Sequence, residues 1–210
     1  MMRFPFAVAA LAALSFAPIT AQQVFGGPDE DRQSSTVLVF GQEVMAAASI
    51  SYSQPTWKDS YDQRFDELKG RKLRLGKNWW TTLQTATPLE IAGQSLDAGA
   101  YVLGLECDEK GNFSLLAMAA DWAMKNKVLP WSTDNWRNEI KIPLALAKGS
   151  LEEPVEKMEI EISAERESPM SGKFSIRWGK HELSAKVNYA PKPVTDASAG
   201  KSDEETGEDK

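Results

Sequence analysis

The sequence predicts an all-β fold, an antiparallel β-sandwich or flattened barrel of about 8–10 strands with one or two short helical insertions. Three observations predict it. Five stretches alternate apolar and polar residues, which on a pleated strand gives one dry and one wet face. Gly179-Lys180 between the last two of them fits a two-residue hairpin turn. Beyond the first 21 residues, no run approaches the roughly 18 apolar residues of a membrane-crossing helix.

Residues 1–21 read as a secretory signal peptide. Arg3 supplies the positive start, Phe4 to Ala17 the apolar run, and Thr20-Ala21 a small-residue cut site before Gln22. The expected product is an exported protein, periplasmic or extracellular, without a transmembrane anchor. Residues 22–35 are polar and carry Gly and Pro, so they read as a flexible leader. Residues 36–190 read as a single β-sandwich-like domain. Residues 191–210 lack large apolar side chains and carry six acids against three lysines, the composition of a disordered acidic tail.

Residues 45–53 place Ala46, Ala48, Ile50 and Tyr52 on one face and serines on the other. Ser60 and Gln63 then form a potential capping box, and Tyr61, Phe65 and Leu68 follow at helical spacing up to Gly70. Residues 74–85 read as one strand. By parity, Leu75, Trp79, Thr81 and Leu83 face the core, while Arg74, Asn78, Trp80, Thr82 and Gln84 face outward. Two readings of Trp80 stand: the helix at 61–68 covers it, or it floors a cleft in which Arg74, Asn78 and Gln84 bond a polar ligand.

Tyr101–Cys107 and Phe113–Ala119 read as a hairpin buried on both faces, joined by the turn-rich Asp108–Asn112. Asp121 is placed to cap a short helix through Asn126. Trp131 and Trp136 flank a loop and are expected to anchor it, with a second aromatic rim near Trp80 as the alternative. Residues 139–146 alternate cleanly, and Pro143 removes a ladder donor, which predicts an edge strand. Residues 157–164, 173–178 and 181–189 alternate too, with Gly179-Lys180 as a two-residue hairpin turn that sets His181 opposite Trp178.

Some of these residues fall into ordered motifs. Tyr52, Ser53, Pro55 and Lys58 form the first, Arg74, Gly76, Asn78, Thr81 and Thr82 the second, and Leu96, Ala98, Gly99 and Tyr101 the third. In that order they resemble the mostly exported bacterial proteins of domain of unknown function family 2911, over roughly residues 44–165. The resemblance implies an exported bacterial β-rich domain without an assigned activity. The chain departs from the common pattern at Asp59–Lys72 and in its Trp79-Trp80 pair. Physical chemistry gives the motifs structural work as well: Gly76 marks a bulge, Asn78 bonds nearby backbone, and Ala98-Gly99 permits a tight strand entry.

Charge and residue inventory narrow the chemistry. The chain carries −6, and −7 once Arg3 is removed, so no nucleic-acid partner is expected. A single cysteine forbids an internal disulfide, and a single histidine forbids multi-histidine metal sites; no cofactor, metal ligand set or catalytic residue is assigned. Cys107 reads as a buried thiol and His181 as a packed turn residue. The first functional expectation is a non-catalytic binding or envelope-associated module that contacts a polar small molecule, a glycan or an envelope protein through Arg74, Asn78, Trp80 and Gln84. The alternatives are a carboxylate-dependent hydrolase acting on glycans, needing two carboxyls roughly 5–9.5 Å apart, and an assembly subunit pairing through an exposed strand.

Overall fold

The computed structural model describes residues 29–40 and 45–189. The signal segment, the start of the leader and the acidic tail fall outside the described residues. The strands are β1 (Arg32–Phe40), β2 (Met45–Ser53), β3 (Arg71–Arg74), β4 (Thr81–Thr85), β5 (Leu89–Ile91), β6 (Gln94–Leu96), β7 (Gly99–Cys107), β8 (Phe113–Ala119), β9 (Ile140–Leu146), β10 (Val155–Ala164), β11 (Ser171–Gly179) and β12 (His181–Asn188). Helix α1 spans Ala120–Lys125, and 3-10 helices span Asp59–Leu68 and Thr133–Asn135.

The strands follow the antiparallel path β1-β2-β4-β7-β8-β9-β12-β11-β10; β3 pairs with β7 beyond β4, and the β5–β6 hairpin joins β12. The two ends of this path meet. Ser35 Oγ accepts the Ile162 N–H at 3.0 Å and donates to the Ile162 carbonyl at 3.3 Å. Gln54 Nε2 donates to the Met158 carbonyl at 3.0 Å, and Thr56 bridges Lys157. Polar side chains and one bridge thus close the seam of a flattened barrel, covering edge groups that would otherwise pair with another chain.

Alternation fills the interior. Ala48 and Ile50 of β2, Leu83 of β4, Leu103 of β7, Leu115 of β8 and Phe174 of β11 are each at most 2% exposed. A second, smaller apolar cluster lies on the outer face of β4, β7 and β8, where Trp80, Val102, Leu116 and Met118 meet Ala123, Val128 and Trp136. Both faces of the β7–β8 hairpin are therefore dry, as its apolar sequence predicts. Asp108 organises its turn by accepting the Lys110 and Asn112 N–H groups, each at 2.8 Å. Gly179 adopts φ +60° at the first position of the two-residue β11–β12 turn, which pairs Trp178 with His181.

Four local expectations are corrected. β1 starts at Arg32, inside the stretch read as leader; its polar outward residues mask a strand whose buried residues are Val37 and Val39. β9 is not an edge strand, because it lies between β8 and β12. Pro143 is tolerated since β9 pairs with β12 only at Ala145 and Leu146, leaving the flank at 143 without a ladder. The 59–68 segment is a 3-10 helix that follows Lys58, without a side-chain cap, so the Ser60–Gln63 box is not its start signal. Residues 74–85 are not one strand: bends occupy 75–79 between β3 and β4.

Candidate functional site

One end of the barrel opens into a cavity of about 360 Å³ with a largely apolar wall. β3 contributes Leu73 and the following bend Leu75; β7 and β8 contribute Leu105 and Phe113; Ile176 and Leu183 come from β11 and β12. Alternation explains the wall, since these side chains continue the inward rows of their strands past the packed core. The 59–68 helix lies at the mouth, and Tyr61, Arg64, Glu67 and Leu68 border the opening.

An aromatic cluster holds that helix to the barrel. The Trp57 ring stands edge-on to Tyr61 at 5.4 Å and to Trp178 at 4.9 Å. Trp178 Nε1 donates to the Pro55 carbonyl at 2.9 Å. His181 Nε2 lies 3.1 Å from Asp62 Oδ1, and its ring packs 5.5 Å from Trp57. His181 is thus the packed turn residue expected from sequence, and it also tethers the helix. The turn needs glycine for a second reason: a Cβ at Gly179 would overlap the Trp57 ring.

Charge at the mouth is lopsided. Among the described residues three arginines, Arg64, Arg71 and Arg74, line the cavity against one carboxylate, Glu67, in a chain of net charge −6. Arg64 salt-bridges Glu67 at 2.9 Å, and this hydrogen bond holds the Glu67 carboxyl below its ordinary range. Arg74 Nη1 donates to the Asn78 carbonyl at 3.3 Å. Arg71 forms no ion pair among the described residues.

The residues proposed from sequence as a contact surface do not gather there. Arg74 borders the cavity, but Asn78, Trp80 and Gln84 do not. Trp80 is 1% exposed, so of its two readings the covered one holds and the cleft-floor one is corrected. Trp80, just before β4, does lie on the face opposite Leu83, but that outer face is roofed by α1 and the loop after it, with Trp136 5.3 Å from Trp80. The covering element is not the 59–68 helix. Trp79 is the indole that looks out, 45% exposed, because Gly76 and Asn78 take positive φ in the bend and break the alternation before β4. Trp131, 56% exposed, stands 6.1 Å from Trp79, while Trp136 is buried and donates to the Leu129 carbonyl at 3.2 Å. The loop is therefore anchored at one end only.

The sequence motifs serve mainly to build the bend. Asn78 Nδ2 and Ser53 Oγ both donate to Asp29 Oδ2, at 3.1 and 2.6 Å. Thr81 Oγ1 donates to the Leu75 carbonyl at 2.8 Å. A Cβ at Gly76 would approach the Ser53 carbonyl to 2.9 Å. Pro55 supplies the carbonyl that Trp178 uses, Lys58 precedes the helix, and Tyr101 Oη donates to the Asp97 carbonyl at 2.9 Å. Leu96 is fully buried, whereas Thr82 is half-buried and Ala98 and Gly99 are exposed.

Sequence reasoning missed Arg71, Trp57 and the apolar wall as a site. The available signal was the alternation Arg71, Leu73, Leu75, which continues one inward row from a cation to two leucines. Among the described residues no three of His, Cys, Asp and Glu group to hold a metal ion, and no helix is long and apolar enough to cross a membrane. No curated protein and no solved structure matches the chain. The family model described as "Protein of unknown function (DUF2911)" matches residues 35–187. The match covers most of the chain, and the chain belongs to this family of proteins of unknown function.

Proposed function

We propose that this protein is an exported binding module that takes a small apolar molecule into the open end of its barrel. The observation that carries this reading is the cavity of about 360 Å³ walled by leucines, Ile176 and Phe113 beneath an aromatic-bearing helix. Cavities of roughly 300–1,000 Å³ with apolar walls and few polar groups are the usual form of small-molecule sites. At about 30 Å³ per water-sized group, this one takes on the order of a dozen non-hydrogen atoms. The polar glycan contact expected from sequence loses its stacking plane, because Trp80 is roofed. Export rests on the signal-like first 21 residues.

The hydrolase reading has less to draw on. Among the described residues Glu67 is the one carboxylate lining the cavity, and its carboxyl is shifted down rather than up. A general acid working near neutral pH needs the opposite shift. The test is titration with the neutral fluorescent reporter N-phenyl-1-naphthylamine. Saturable one-to-one binding is expected, with loss in Leu73→Trp, which puts an indole into the cavity from its half-buried wall. An unchanged reporter affinity in a folded Leu73→Trp variant overturns the reading.

A further inference from the structure

We infer that the molecule bound is an amphiphile with an anionic head group, and that Arg71 reads the head, assisted by Arg64. This rests on the binding reading above. The mouth carries three arginines and one glutamate, although the chain as a whole is acidic. Such a basic excess at the rim of an apolar cavity complements an anion attached to an apolar chain.

Arg71 is in the right place. In β3 it shares a face with Leu73, and its register partner Cys107 and that of Leu73, Leu105, belong to the inward row of β7. The Arg71 side chain is exposed at the end of this wall, where the cavity meets water. A head group bound there stays partly hydrated, so the large cost of burying an ion is avoided while the alkyl chain goes dry. The planar guanidinium offers a fork of donors matched to a carboxylate or phosphate. Glu67, whose carboxylate feels Arg71, is already bonded to Arg64. An arriving anion therefore meets Arg71 without first breaking an ion pair. The facing aromatics do not form a cage for a cation, because Trp57, Tyr61 and Trp178 pack against one another at 4.9 to 5.4 Å.

The test is displacement of N-phenyl-1-naphthylamine by four probes of one chain length, each kept below micelle formation: dodecanoate, dodecyl phosphate, dodecanol and dodecyltrimethylammonium. One or both anions are expected to bind about tenfold or more tighter than the alcohol. The better anion names the head-group class. The anion-to-alcohol ratio is expected to fall toward one in the Arg71→Gln, Arg64→Gln double variant and to shrink as salt is raised. Circular dichroism checks that the variant is folded. If the alcohol or the ammonium binds as well as the anions, or the double variant keeps the full ratio, the head-group inference is overturned while the cavity reading survives. If neither reporter nor probe binds, both fail.

Discussion

Replacing each indole of the Trp79-Trp80 pair in turn separates the two energetically. Trp80 keeps 1% of its surface and Trp79 keeps 45%. An indole buries on the order of 200 Å². At ~25 cal/mol per Å², full burial is worth about 5 kcal/mol, of which an alanine retains about 1. Trp80→Ala is therefore expected to cost about 4 kcal/mol, within the ~3–5 kcal/mol typical of such core truncations. Trp79→Ala loses roughly half the burial beside a Trp131 that can relax, and is expected to cost about 1–2 kcal/mol. Trp80→Phe adds a third comparison. Trp80 Nε1 is buried and has no hydrogen-bond partner among the described residues. A buried donor without a partner costs about 1–3 kcal/mol, so removing it offsets much of the lost ring area, and the phenylalanine variant is expected within about 1 kcal/mol of the parent. Urea unfolding followed by far-ultraviolet circular dichroism reads all three without relying on the indoles. In thermal melts the alanine at 80 is expected to lower Tm by about 8–16 °C, at about 2–4 °C per kcal/mol for a chain of this size. Equal losses for the two alanines, or a phenylalanine variant as damaged as the alanine at 80, would refute the assignment of Trp80 to a dry second core.

Other consequences follow from the same geometry. Asp29, held by Ser53 and Asn78, and Asp31, held by Lys77 and then Lys157, have carboxyls shifted below the ordinary range. A depressed folded-state pKa gives stability that is present above the unfolded pKa, near 3.9, and lost as pH falls through the folded one. Acid titration of the melting temperature is expected to fall off below about pH 4, and Asp31→Asn flattens that limb; an unchanged limb counts against the network. Burial pushes the Cys107 thiol up, and the side chain is 2% exposed. Ellman's reagent is expected to label it only after denaturant is added, and fast labelling of the native protein contradicts its packing. A Cβ at Gly104 would overlap the Trp136 ring, so Gly104→Ala is expected to cost about 1–3 kcal/mol. A melting temperature equal to the parent's would mean that Trp136 is not seated there. Mass spectrometry of the protein recovered outside the cytoplasm is expected to find Gln22 at the N-terminus, and an intact Met1 there argues against cleavage.

The all-β class, the main inward rows and several turns were legible in the sequence. Period-two alternation is a local property: Ala48 and Ile50 of β2, Ile160 and Ile162 of β10, and Phe174 and Ile176 of β11 are buried where parity puts them. The Gly179-Lys180 turn and the pairing of Trp178 with His181 follow from neighbours in the chain for the same reason. Parity also placed Trp80 across the strand from Leu83. What it left open was the material over that face, because the roof comes from residues 120–136, far along the chain. Parity failed for Trp79, where Gly76 and Asn78 take left-handed conformations and break the strand whose alternation was being counted. The cavity belongs wholly to the tertiary structure. Its walls come from β3 and from β7 through β12, and its mouth from the 59–68 helix. Each strand residue of the wall spells "inward" in its own strand, but an inward side chain lines a cavity only where no other side chain arrives to fill the space. Local pattern fixes direction. Only the packing of distant segments decides what lies in that direction.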